Sequence, residues 1–197
     1  MVQKIEIVNA ALTRAGEQRV SNLSGNTPSH IVTEGNYEVL VSGLLAGRRN
    51  RWALTDTTLG PKLAGTLIDE WDYAYQMPPG LVRAVYVHVD GLPVAYAIKS
   101  DKVLCDVDSD VDELAIHYVW RVPEEQWPGD FIEAVTLKLS AIYLQAAERW
   151  DEANMLDRRG EAALLRADAL DSGTQTPRKF ERTRRRNGLA DVRRGRS

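Results

Sequence analysis

Apolar residues recur with a helical period at both ends of this 197-residue chain and with a strand period in its middle. A row of period 3.6 cannot cover one face of a sheet, and a row of period two cannot line one side of a helix. The succession therefore predicts helices, then strands, then helices. The strongest signal lies late: Phe131, Val135, Leu139, Ile142, Ala146 and Trp150 line one side of a helix expected over residues 129–150, opened by Pro128. Asp151 restarts the chain, and Met155, Leu156, Ala163, Ala167 and Leu170 stripe a second helix over 152–171. Ala162, Ala163, Ala167 and Ala169 suit close packing there.

At the other end, Ile5, Val8, Leu12 and Ala15 followed by Gly16 give a short helix over 4–16 with a glycine stop. Asn26-Thr27-Pro28 supplies a cap and a first-turn proline for a helix over 28–50, striped by Ile31, Tyr37, Val41, Leu44 and Leu45. Gly35 interrupts that stripe. A helix crossing it gives up about 1 kcal/mol relative to alanine, so it either begins near Glu34 or approaches a neighbour closely at the glycine. The cluster Arg48, Arg49 and Arg51 reads as a solvated helix end, where cations are favoured.

The middle of the chain reads as a small antiparallel sheet over 81–122. Val82 to Val89 is rich in β-branched and aromatic residues, and Asp90-Gly91 is a strong hairpin turn. Ala95 to Lys99, Lys102 to Asp106 and Leu114 to Val122 follow as further strands. Both faces of Leu114 to Trp120 look apolar, which suggests one face against the helices and the other against a neighbouring subunit. Before the sheet, Trp71, Tyr73 and Tyr75 alternate at a spacing of two, and with Tyr118 and Trp120 they form the candidate subunit-interface residues. The fold class expected is α+β and mainly helical: N-terminal helices and two C-terminal antiparallel helices packed with a sheet of about four strands.

Charge divides the chain into two parts. Residues 178–197 carry nine Arg or Lys against two acidic residues, formal +7, whereas residues 1–177 carry sixteen against twenty-six, formal −10. The tail has too few apolar residues for a core of its own. One folded domain over 1–173 with a basic, flexible arm over 174–197 is the expected organisation.

Little in the sequence points to chemistry. The single Cys105 excludes an intrachain disulfide, and its apolar neighbours suggest a buried thiol. The loop Asp106-Val107-Asp108-Ser109-Asp110-Val111-Asp112 resembles the start of a calcium loop, but the required glycine and glutamate positions hold Val111 and His117. An acidic turn that faces a cation or a basic surface is expected instead. His30, His88 and His117 have no ligand-like spacing, although His88 shares a strand face with Tyr86 and lies near Asp90. There is no nucleophile elbow and no phosphate-binding glycine loop. The expectation is a protein that is not an enzyme, with no cofactor and no metal. No run approaches the ~18 apolar residues of a membrane span, so no membrane insertion is expected.

The arm admits two readings. Arg178, Lys179, Arg182, Arg184, Arg185 and Arg186 suit phosphates, which makes a DNA-binding accessory protein the alternative. Docking onto an acidic protein surface accounts for the charge of body and arm together.

Several strings, in order, resemble the phage head–tail adaptor (connector) family, including the tail tubular protein A type and the adaptors of gene transfer agents. Ile7 to Glu17 followed by Val20-Ser21-Asn22-Leu23 looks like the family's opening helix and the segment after it. Trp71 to Ala84 is similar to its aromatic stretch, proline and first sheet strand, and Leu114 to Phe131 to its last strand leading into paired helices. The resemblance implies a structural component of a virion or phage-like particle at the head–tail junction, assembled in the host cytoplasm. It implies a homo-oligomeric, dodecameric ring with the portal protein above and a tail or stopper protein below. It also implies a DNA channel with transient, non-specific DNA contact, and a C-terminal segment whose arginines dock on the portal. The acidic body adds the expectation of an acidic channel along which DNA slides without sticking.

Overall fold

The computed structural model describes residues 2–47, 50–64, 70–110 and 113–173. Four helices hold the ends of the chain: α1 (Lys4–Ala15), α2 (Pro28–Gly47), α3 (Gly129–Ala146) and α4 (Trp150–Gly173). Between them run seven strands: β1 (Leu54–Thr58), β2 (Tyr73–Gln76), β3 (Leu81–Val89), β4 (Leu92–Val94), β5 (Ala97–Lys99), β6 (Lys102–Cys105) and β7 (Leu114–Trp120). The fold is the mixed α+β arrangement expected, with N-terminal helices, two C-terminal helices and a small antiparallel sheet.

Helix α3 is the centre of the helical part. Its residues are buried on nearly every side, from Phe131 through Val135 and Leu139 to Leu144, because α1, α2 and α4 all pack on it. Helix α1 stops where Gly16 takes φ +77°, a left-handed cap that places its N–H near the carbonyls of Leu12 and Thr13. Asn9 then pins the following segment, its amide donating to the Val20 carbonyl at 2.9 Å and its Oδ1 accepting the Val20 N–H at 2.8 Å. Helix α2 starts at Pro28 and passes straight through Gly35. Its end is held by Asn50, which donates to the carbonyls of Leu44 and Leu45. Of the arginine cluster read at this end, Arg48 and Arg49 lie outside the described residues.

The C-terminal helices differ from the expected stripes in two respects. Helix α3 ends at Ala146, and Trp150 instead opens α4 with its ring exposed. The buried side of α4 is Ala153, Leu156, Gly160, Ala163 and Leu164, so Met155 and Leu170 face outward. Gly160 makes the close approach: an added Cβ there would lie 2.9 Å from Lys138 Cγ on α3. Lys138 crosses above it to Asp157 at 2.8 Å.

The strands make two sheets. One has the order β1-β7-β3-β4 and the other β2-β6-β5, all pairs antiparallel. The Asp90-Gly91 turn forms, with φ +49° and +78° at the two turn residues, but the strand that returns on β3 is Leu92–Val94; Ala97–Lys99, within the stretch expected to return, pairs instead with β6 in the smaller sheet. The expected strands over 81–122 are joined by β1 and β2 from before them. Leu114, Ile116 and Tyr118 of β7 close a second core against Tyr75, Val103 and Cys105 of the smaller sheet, while Val119 reaches the helical core. The second apolar side of β7 is thus covered by strands of its own chain. Cys105 is buried as expected, and burial pushes its thiol pKa up.

Candidate functional site

The aromatic residues singled out in the sequence gather around the sheet core. Tyr75 is fully buried; its hydroxyl donates to the Val107 carbonyl at 2.5 Å and accepts the Ser109 N–H at 3.0 Å, and burial raises its pKa. Tyr118 is buried as well, with its pKa raised by the same cause. Side chains enclosed by their own chain have no surface to offer another. The interface role proposed for the aromatic set therefore narrows to Trp71, Tyr73 and Trp120, which are half-buried at the rim of this core.

Beside that rim the acidic loop meets a cation from its own chain. Lys62 Nζ lies 2.7 and 2.9 Å from the two Asp108 oxygens, 2.8 Å from Asp110 Oδ2 and 5.3 Å from the Tyr73 ring centre. Hydrogen bonds from Lys62 hold the Asp108 carboxyl below its usual range, and those carboxylates raise the lysine in turn. The resemblance to a calcium loop thus has a simpler cause: closely spaced carboxylates collect around an ammonium. Val111 and Asp112 lie outside the described residues.

The outer face of the larger sheet brings together residues far apart in sequence. Asp56 Oδ1 on β1 is 2.9 Å from His117 Nδ1 on β7 and 3.3 Å from His88 Nε2 on β3, and the Tyr86 ring stacks on His117 at 4.8 Å. Sequence spacing gave no hint of this cluster, because register pairs Asp56 with His117 and His117 with Tyr86. The Gly91 N–H donates to His88 Nδ1 at 3.2 Å, which makes Nε2 the protonated nitrogen of the neutral ring. A nitrogen already donating to Asp56 has no lone pair for a metal. The cluster ties three strands together. His30, by contrast, sits at the start of α2, 2.6 Å from the Thr27 hydroxyl.

At the junction of helices and sheet, a charged network runs Lys4–Glu38–Arg121–Glu124–Tyr37. Lys4 Nζ and Arg121 Nε reach Glu38 at 2.8 and 3.1 Å, Arg121 Nη2 reaches Glu124 at 2.6 Å, and the Tyr37 hydroxyl donates to Glu124 at 3.2 Å. Burial alone would raise Glu38, but the hydrogen bonds from Arg121 and Lys4 outweigh it and leave its carboxyl below the usual range. Tyr37 is raised by burial and by the Glu124 charge. The network fixes α1 and α2 against the strand that leaves the sheet.

A cleft of about 420 Å³ opens between α1, α3 and α4, lined by Arg14, Glu133, Leu137, Met155 and Arg159 among others. Its described lining holds no serine, cysteine or histidine, so nothing there pairs a nucleophile with a base. Among the described residues no group of three or more His, Cys, Asp or Glu is arranged to hold a metal ion. No described helix is long and apolar enough to cross a membrane. Arg178, Lys179, Arg182, Arg184, Arg185 and Arg186 lie outside the described residues. The helix that leads to them is fastened in its last turns, where Asp171 Oδ2 accepts the Arg51 N–H at 2.7 Å. No protein-family model and no curated protein matches the chain.

Proposed function

We propose that this protein is a head–tail adaptor: a structural subunit that forms a ring between a portal and the tail component below it, extending the DNA channel. The observation that supports this reading is the succession of elements. Two N-terminal helices, an antiparallel sheet region and a long paired α3/α4 unit occur in the order that the resemblance implies. The arm beyond Gly173 is strongly basic and the rest of the chain acidic, which suits attachment through the arm to an acidic surface. On this reading, residues 174–197 dock on the portal, Trp71, Tyr73 and Trp120 contribute to subunit contacts, and the assembled ring presents an acidic lumen to DNA. Each modest contact repeats around the axis, so a small subunit can make a durable assembly.

The test is to mix full-length protein and a chain ending at residue 173 with the portal protein under one salt condition, and to measure particle mass. The expected result is a ring on the portal with the full chain and its loss with the shortened one. A DNA-binding accessory protein, the second reading, predicts no portal complex but DNA affinity that falls steeply with salt through the same arginines.

A further inference from the structure

Helix α2 carries an outward row that the other described residues leave exposed. Ile31, Gly35, Val39, Gly43 and Gly47 follow one another every four residues, and all five are exposed, Val39 to 73%. A Cβ added at Gly35, Gly43 or Gly47 would meet no atom within 4 Å. Gly35 and Gly43, inside the helix, each sacrifice about 1 kcal/mol relative to alanine, and no contact among the described residues requires that sacrifice. The row lacks charged and polar side chains, and where a ridge would stand on an ordinary helix it leaves a shallow groove.

Helix α4 shows the opposite relief. Opposite its buried side, Met155, Ala162, Leu165 and Ala169 share one outward face at spacings of seven, three and four. Met155 is 54% and Leu165 62% exposed. Arg158 stands within that row between Met155 and Ala162, Arg166 flanks it, and Arg159 lies at its edge toward the cleft with α1 and α3; none of the three makes an ion pair among the described residues. Helix α2 has no Lys or Arg and exposes Glu34 beside Gly35.

We propose that the outward face of α4 on one copy packs into the glycine-lined row of α2 on the next copy, with its arginines beside Glu34. The contact deepens the ring reading above and rests on it. Size and charge both favour this pairing over like with like. Two α4 faces would oppose arginine to arginine, and two α2 rows would bring only Ile31 and Val39 to fill the gaps at three glycines on each side. Helices α2 and α4 both pack on α3, and the rows named here are exposed on each, so one subunit has both halves of the contact available at once. Two different, complementary patches on each copy make a heterologous contact, which propagates until it closes into a ring.

Cross-linking tests the pairing. Cys105 is fully buried, so Val39→Cys and Leu165→Cys each introduce one accessible thiol on an exposed position. The two variants are mixed, with and without portal, and treated with a short bismaleimide while assembly mass is measured in parallel. The expected result is dimers of the two variants together, none from either variant alone, and a ladder up to the full ring from the double variant. Leu165→Asp, which leaves the monomer's circular dichroism unchanged, is expected to weaken assembly at least tenfold. A ring of full mass without the 39–165 cross-link overturns this contact and leaves the adaptor reading standing. Cross-links from residue 165 to the portal also overturn it, and a monomer under every condition overturns both.

Discussion

Around α3 the core cluster holds twenty-four residues, and the buried hydroxyls beside it, Thr33, Thr136 and Ser140, each donate to the carbonyl four residues back in their own helix; between the two sheets the cluster holds eight, and the Tyr75 hydroxyl there depends on Val107, 32 residues away. The helical core can therefore rely on non-directional apolar burial, which tolerates small shifts. The sheet core relies more on direction, because the enclosed Tyr75 hydroxyl must keep its partners or bear the desolvation cost. The difference teaches where each region is vulnerable. Volume governs the helices, and a few named hydrogen bonds govern the sheets.

The largest expected effect separates these rules at once. Leu139→Ala removes a fully buried side chain from the centre of α3 and is expected to cost about 2–5 kcal/mol, read as a lowered urea midpoint for the whole domain. A loss under 1 kcal/mol would break the idea that α3 is the organising element. Next comes the seam between the regions. Arg121→Ala leaves Glu124 and Tyr37 without their cation and is expected to cost about 1.5–3 kcal/mol, with Arg121→Lys recovering only part because a single ammonium cannot span Glu38 and Glu124.

Tyr75→Phe keeps the volume of the sheet core and deletes only its hydroxyl. The Val107 carbonyl and Ser109 N–H lose their partner, for an expected loss of about 1–2 kcal/mol. Amide exchange should accelerate in residues 106–110 while α3 keeps its protection, and uniform loss in both regions would count against the comparison. Acid gives the smallest effect. Glu38 and Asp108 both have pKa values below their unfolded range, so their contribution is complete above about pH 5 and fades as pH falls through the depressed values. Lys62→Ala should flatten the acid dependence of exchange at the acidic loop and leave that of the helical seam untouched.

Much of the helical part was legible because its signal is local. Gly16 after Ala15, Pro128 before Phe131 and the apolar stripe of α3 are read from neighbours a few residues apart. Helix α4 is legible only in part: Leu156 and Ala163 are buried as expected while Met155 and Leu170 are exposed, since Met155 beside Leu156 and Leu165 beside Leu164 make two apolar faces and only packing tells which is buried. Strand β1 escaped notice because Leu54–Thr58 is short and polar, and its place is set by pairing with β7 more than fifty residues later. The Asp56–His88–His117 cluster and the Lys62 clamp were invisible for the same reason: each depends on register or on a turn bringing distant residues together. Gly35 was the exception. Its cost within a helix leaves either a start near Glu34 or a close neighbour; the helix runs through it, and among the described residues no atom outside its own helix backbone lies within 4 Å of an added Cβ.

The adaptor reading, central to the account, is tested most directly by imaging full-length protein with its portal and weighing the particles, alongside the chain ending at residue 173. The account predicts a closed ring of many copies on the portal that is lost with the arm. Particles of monomer mass beside an unoccupied portal, at every protein concentration, would contradict it.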